Sequence, residues 1–269
     1  MTSHFKTWIT GIIVSVAVTG CGSSGDVPTA ELGYVDVSSS ALNASPPSVN
    51  NIRAQALQET ATELGAQGAL AWRAEQINNA LDAESAYLTS IFDLNQLLIN
   101  NNVLPPVLSE TSGDINLDND DTVRVSNKTY KIISPARFVT APPSWRDYLW
   151  MNYSKPQQPD ISLLPKNGDE TQIWNYYLKK GWEQGLTQAN EIFRANLGRL
   201  KRDYLGMVLY RKLLSEHMIT SPFVAQANLG VTGNSQEIHV DDRIYRITSH
   251  SALIPDSNAW QPVIAQGSS

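Results

Sequence analysis

Cysteine is nearly absent from this chain: Cys21 is the only one in 269 residues. A disulfide within the chain is excluded, so the fold has to hold by packing. Long apolar runs are missing too. The opening stretch from Trp8 to Val18 is broken by Thr10, Gly11 and Ser15 and falls short of the ~20 residues that a spanning helix needs. Nor is there an excess of positive charge, with 20 basic against 26 acidic side chains and a formal charge of −6. That balance argues against direct binding to nucleic acid, whose affinity comes largely from neutralising phosphates. The sequence contains no Walker loop, no Rossmann fingerprint and no Gly-x-Ser-x-Gly elbow. A hydrolytic Ser/His/Asp set is recognised by geometry rather than order, and nothing in the order of residues points to one.

What is present begins at the amino terminus. His4 and Lys6 precede the short apolar stretch, the layout of a secretory signal. Val18-Thr19-Gly20-Cys21 follows and has the form of a bacterial lipobox. Cleavage between Gly20 and Cys21 would leave the Cys21 thiol to take a diacylglyceryl group, with a palmitate-type acyl chain capping the new amino terminus. Two or more chains anchor stably where one binds only marginally. The plainer alternative is a secreted protein with a free thiol at Cys21. Gly22, rather than Asp, follows the cysteine, and by resemblance to enterobacterial lipoproteins this implies onward transport to the outer membrane, with the chain on its periplasmic face. Residues 21–50, rich in Ser, Gly, Pro, Asn and Ala, read as a flexible tether. After cleavage 249 residues remain and Lys6 is lost, leaving 19 basic against 26 acidic side chains, a charge of −7. With 42% apolar residues and seven tryptophans in the whole chain, a packed core is expected.

Two helical stretches are expected. The first follows Ile52, Leu57, Ala61, Leu64 and Gly68, then Ile77, Leu81, Leu88, Ile91, Phe92, Asn95 and Leu98. Its small residues Gly65, Gly68, Ala69 and Ala71 suit either the close approach of another helix or a break. The second runs from about Glu170 to Glu216, with Gly206 as its expected division. Each is followed by a Pro-containing link and strand-like alternation, Thr122–Ser134 and Glu237–Ser249. A tight hairpin turn is expected at Asn127-Lys128 and at Asp242-Arg243. These segments repeat. Val125 matches Val240, Tyr130 matches Tyr245, Ile132 matches Ile247, Ser134 matches Ser249 and Trp145 matches Trp260, each 115 residues apart. Upstream the offset is 116, as for Leu97-Leu98 with Leu213-Leu214, Val103 with Ile219 and Pro106 with Pro222. A duplicated unit follows from a fixed period, although amphipathic elements of one type also resemble each other by chance. The expected fold class is α+β, long amphipathic helices packed with two β-hairpins. The divisions are a signal at 1–20, a tether at 21–50, a first helix–hairpin unit at 51–145, an aromatic and Pro-rich connector at 146–169, a second unit at 170–262 and a short tail at 263–269.

Few constellations carry chemistry. Gly230-Val-Thr-Gly233 reads as a turn more than a phosphate cradle. Asp118-Asn-Asp120-Asp121 opens like a calcium loop but has Val123 at its sixth position and Thr129 at its twelfth, and reads as a hairpin approach. His239 and Asp241 would share a strand face, but two ligands do not make a metal site. No metal and no cofactor is expected beyond covalent lipid on Cys21. The segment holding Trp145, Arg146, Tyr148, Trp150 and Tyr153 concentrates residue types that dominate protein interfaces and that fill cores equally well. These five are the candidate interface.

Several segments carry a resemblance: Gly65-Ala-Gln-Gly-Ala-Leu-Ala-Trp-Arg-Ala74, Asn102-Val-Leu-Pro-Pro-Val-Leu108, Pro142-Pro-Ser-Trp-Arg-Asp-Tyr-Leu-Trp-Met151, Leu163-Leu-Pro-Lys166, Leu209-Tyr-Arg-Lys-Leu-Leu214 and Leu229-Gly-Val-Thr-Gly233 through Ile238-His-Val-Asp-Asp-Arg243. Together they resemble the DotC lipoprotein of Dot/Icm type IVB secretion systems and the TraI proteins of IncI-type conjugative plasmids, from about Asn51 to Trp260. The resemblance implies a non-enzymatic component of an outer-membrane core complex. It would work with DotD-like and DotH-like subunits, in a ring through which DNA or effector proteins leave the cell. The tether and the short end after Trp260 depart from the family pattern. Only Cys21 carries over with a stated role. A periplasmic lipoprotein that binds or hydrolyses cell wall is the main alternative, and a chaperone that only delivers a partner is another.

Overall fold

The computed structural model describes residues 51–119 and 121–260. The signal, Gly20 and Cys21, the tether and the tail lie outside them. The described chain is α+β. Helix α1 (Asn51–Ala83) and the short α2 (Ser85–Ile91) lead to β1 (Val103–Leu104), β2 (Val107–Asn119), β3 (Thr122–Ser134) and β4 (Arg137–Phe138). The short α3 (Trp145–Leu149) and the long α4 (Gly168–Ser215) then precede β5 (Phe223–Gly233) and β6 (Ile238–Ser249). Two compact units result. Among the described residues, one joins Asn51–Ser85 with Trp150–Ala195, and the other joins Ala86–Leu149 with Asn196–Trp260. Each unit draws on both halves of the sequence, whereas the divisions read from the repeat follow chain order.

In the first unit, α1 packs on the beginning of α4. The apolar stripe of α1 buries Leu57, Ala61, Leu64 and Ala69 against Ile173, Trp174, Leu178 and Trp182. Burying one such large side chain is worth roughly 1.5–3 kcal/mol, which is more than helix propensity supplies. Glycine lets the backbones meet. A Cβ on Gly65 would lie 2.2 Å from the Leu178 carbonyl oxygen, and one on Gly181 would lie 2.1 Å from that of Thr62. Gly185 is closed in the same way by the Ala66 carbonyl and the Ala69 methyl. The small residues of α1 therefore admit a neighbouring helix and do not break their own. Partners advance together along both helices, from Arg53 with Glu170 to Arg73 with Asn190, so the two run parallel.

Helix α4 is capped at both ends. Asn167 accepts from the Glu170 amide at 2.8 Å, and Asp169 and Glu170 place negative charge in the first turn. At the far end His217 turns left-handed, at φ 56°. The Met218 amide reaches back to the Leu213 carbonyl and the His217 amide to that of Leu214, a Schellman closure. The division expected at Gly206 does not occur, since α4 runs unbroken from Gly168 to Ser215. A Cβ on Gly206 would sit 2.6 Å from the Leu108 carbonyl oxygen, so glycine there makes room for the backbone of the first hairpin.

The second unit holds both hairpins, β2 with β3 and β5 with β6. The turns expected at Asn127-Lys128 and Asp242-Arg243 are corrected. Both pairs lie inside long continuous strands, whose last paired residues before the reversals are Asn119 with Thr122 and Gly233 with Ile238. Neither pair has the glycine that a two-residue hairpin turn favours. At the second turn, Asn234 instead accepts from the amides of Gln236 and Glu237. Gly230-Val-Thr-Gly233 is the end of β5, not a turn by itself.

The two hairpins share one register. Leu108 faces Ile132 as Val224 faces Ile247, Glu110 faces Tyr130 as Gln226 faces Tyr245, and Ile115 faces Val125 as Val231 faces Val240. Every one of these equivalences obeys the offsets of 116 and 115. The pairing of Val103 with Phe138 recurs as Ile219 with Leu253, and left-handed Asn101 recurs as His217. At its base the first hairpin uses Leu108, Tyr130 and Ile132 to cover Tyr210, Leu213 and Ile219.

Candidate interaction surface

The five aromatic-segment residues are placed differently from one another. Ser144 caps α3: its amide and hydroxyl both donate to the Asp147 carboxylate, at 2.6 and 3.0 Å. That cap turns Trp145 inward. Trp145 is buried and donates from Nε1 to the Thr89 hydroxyl at 3.0 Å, so it serves as a core residue. The exposed Arg146 lays its guanidinium over the Trp145 ring, 4.5 Å from the centroid. Tyr148 is half-buried and donates to Asp203 at 3.2 Å, with Arg199 over its ring. Burial and the Asp203 carboxylate push its phenol up to about 12. Trp150 and Tyr153 are exposed and belong to the other unit. Beside them Met151 is held through its backbone by both ends of the Asn78 amide.

A second cluster joins the start of α1 to the approach of α4. Arg53 donates to the carbonyls of Ser162 and Leu164 and to Glu170, and Glu170 also accepts from the Lys166 amide at 2.9 Å. The Arg53 guanidinium and this amide hold the Glu170 carboxyl below the usual carboxylate range. The cluster is a latch, with its donors and acceptors turned to each other.

The residues weighed for metal do not converge. His239 lies 3.7 Å from Glu237, Asp241 pairs with Arg243, and Asp242 accepts from the Thr232 hydroxyl. Among the described residues no group of three or more His, Cys, Asp or Glu side chains is placed to hold a metal ion. In the Asp118–Asp121 segment the Asp121 amide donates to the Asn119 side chain, closing the first turn.

The most prominent surface was not singled out from sequence. Near its turn the first hairpin carries Ile115, Leu117, Val123 and Val125, each 54–76% exposed. Ile115 is opposite Val125 and Leu117 is opposite Val123, so all four share one face. The second hairpin repeats this with Val231, Ile238 and Val240, 67–76% exposed, and with Gly233 at the fourth position. The signal was present in sequence as Val-x-Val on one strand and Ile-x-Val on its counterpart. Clustered aliphatics of this size on a surface mark an interaction site, whereas single ones do not.

Among the described residues no helix is long and apolar enough to cross a membrane. A family described as type IV secretory system, conjugal DNA-protein transfer, matches this chain over residues 51–262. No curated protein matches it.

Proposed function

Because the chain belongs to the type IV secretory system family of conjugal DNA-protein transfer, we propose that it is a lipid-anchored, non-enzymatic structural component of the outer-membrane core complex. In this reading lipid on Cys21 holds the protein at the periplasmic face of the outer membrane. There it helps to bring a DotH-like subunit to that membrane together with a DotD-like lipoprotein, and it needs no cofactor. The observation that carries the reading is the extent of the match. It takes in all the described residues, leaving none of them to a second domain with chemistry of its own. The exposed aliphatic faces of the two hairpins support a subunit that is covered by neighbours.

The test compares tagged wild type with Cys21→Ser in cells that carry the whole transfer system. Wild type is expected in a large outer-membrane assembly with the DotH-like subunit, and Cys21→Ser should leave both out of that membrane. Extraction of wild type as a small species without partners would defeat the proposal and bring the cell-wall reading forward.

A further inference from the structure

We propose that the outer face of α4 over residues 198–212 is a docking seam for an acidic amphipathic helix supplied by another protein. The inference goes beyond the assignment to a secretion system and does not depend on the lipid anchor.

Spacing defines the seam. Gly198, Lys201, Leu205, Val208 and Lys212 follow one another at intervals of three, four, three and four residues. That alternation keeps one narrow line of a helix toward a straight neighbour. On the opposite side Leu200, Met207, Tyr210 and Leu213 are buried in the protein. On the seam the aliphatics stay out, Leu205 at 42% exposure and Val208 at 37%. A narrow line suits a rod-shaped partner. A bilayer takes up a broad apolar face, and this one has two aliphatics and no aromatic.

Glycine supplies the second observation. Gly181, Gly185 and Gly206 on the same helix each meet a neighbouring backbone, with a carbonyl oxygen 2.1–2.6 Å from where a Cβ would stand. Gly198 meets nothing within 4 Å. Glycine weakens a helix interior, and its use elsewhere along α4 is to admit a neighbour. At Gly198 that room stands open.

Charge selects the partner. Residues 196–215 carry five basic side chains against one acidic, Asp203, in a chain whose net charge is −6. Asp203 is taken up by Arg202 and by the Tyr148 hydroxyl, and Arg199 lies over the Tyr148 ring. Lys201 and Lys212, in the seam itself, have no carboxylate partner among the described residues. Lys201 is half-buried, and that burial pushes its ammonium down. Carboxylates set opposite the two lysines answer this charge, as they do at the margins of paired helices. The occupant is therefore a helix with aliphatics along one line and Asp or Glu beside them.

The test places a photo-reactive side chain in the seam, Val208→p-benzoylphenylalanine, in the full-length chain in cells that carry the whole transfer system. Irradiation should join it to a second protein. Mass spectrometry of the cross-linked peptide should find heptad spacing flanked by Asp or Glu. Lys201→Glu with Lys212→Glu should lose the adduct, and Lys201→Arg with Lys212→Arg should keep it. Gly198→Leu should lose it too while melting no lower than wild type, which separates a filled gap from a damaged fold. Lys201→Gln with Lys212→Gln repeats the charge test if the glutamates lower the melting temperature. An adduct with lipid, with another copy of this chain or with a segment free of carboxylates overturns the proposal. So does the lack of any adduct, or an adduct indifferent to the charge reversal. Membrane fractionation of the same cells reads the proposed function separately.

Discussion

Gly65 and Gly181 stand 116 residues apart and occupy the same place in two parallel helices, each closed by the other helix's backbone. Gly65 meets the carbonyl of Leu178, itself 116 residues beyond Thr62, and Gly181 meets the carbonyl of Thr62. The contact is reciprocal, so the repeat seen in the hairpins extends into the helices.

Gly65→Ala and Gly181→Ala should therefore cost similar amounts, about 2–3 kcal/mol each, because either methyl group forces two backbones apart. Gly198→Ala is the contrast. Nothing lies within 4 Å of a Cβ there, so the exchange should stabilise α4 by roughly 0.5–1 kcal/mol. Denaturant unfolding of the three variants checks both signs.

The left-handed cap of α4 is made by a histidine, a residue that pays for the conformation. His217→Gly should raise stability by about 0.5–1 kcal/mol, partly offset by the looser unfolded chain. Equilibrium unfolding reads the gain. A loss would mean that the imidazole makes a contact worth more than the strain.

Tyr148 gives the fold an alkaline limit. Its folded pKa, about 12, lies above the ordinary 10, so the native state keeps a proton that the unfolded chain releases. The contribution is whole below pH 10 and is lost as pH rises toward 12. Tyr148→Phe should lower stability at neutral pH by about 1 kcal/mol, through the lost hydrogen bond to Asp203, and flatten the decline between pH 10 and 12. Melting temperature against pH for the two proteins decides it.

Glu170 works at the acid end with the opposite sign. Arg53 holds its pKa below the ordinary 4.5, so the latch contributes above that pH and is lost as pH falls through the lowered folded value. Glu170→Gln should destabilise at pH 7 and show a shallower acid limb than wild type. Parallel acid limbs for the two proteins would refute the latch.

The helices, the two hairpins and the period of the repeat were legible because each rests on local spacing. The turns were misplaced for a physical reason. In β3 the aliphatics change phase, from Val123 and Val125 to Tyr130 and Ile132, and a change of phase reads as a reversal of the chain. The strand is continuous, but beside left-handed Gly113 its alternation slips by one, so that Thr129 bonds Asp114, and the change of phase marks this irregularity and not a turn. Gly206 misled in a similar way, since glycine in a helix marks a break or a close neighbour and only packing tells which. The candidate interface mixed Trp145, turned inward by the Ser144 cap, with Trp150 and Tyr153, which stay exposed. Aromatic density alone does not separate the two roles.

The parallel pairing of α1 with α4 sets the order in which the molecule is made. Arg53 waits for Glu170 and Arg73 for Asn190, each across 117 residues. Contacts so distant in sequence form slowly, because a long loop has to close first. During synthesis Leu57, Ala61 and Leu64 have no core to enter until Trp174, Leu178 and Trp182 have emerged. Both strands of the first hairpin, adjacent in the chain, have been made long before then, although the core under its base waits for Tyr210 and Leu213. The helical unit, begun first, stays open until the start of the long helix has been made, and its apolar stripe needs shelter until then.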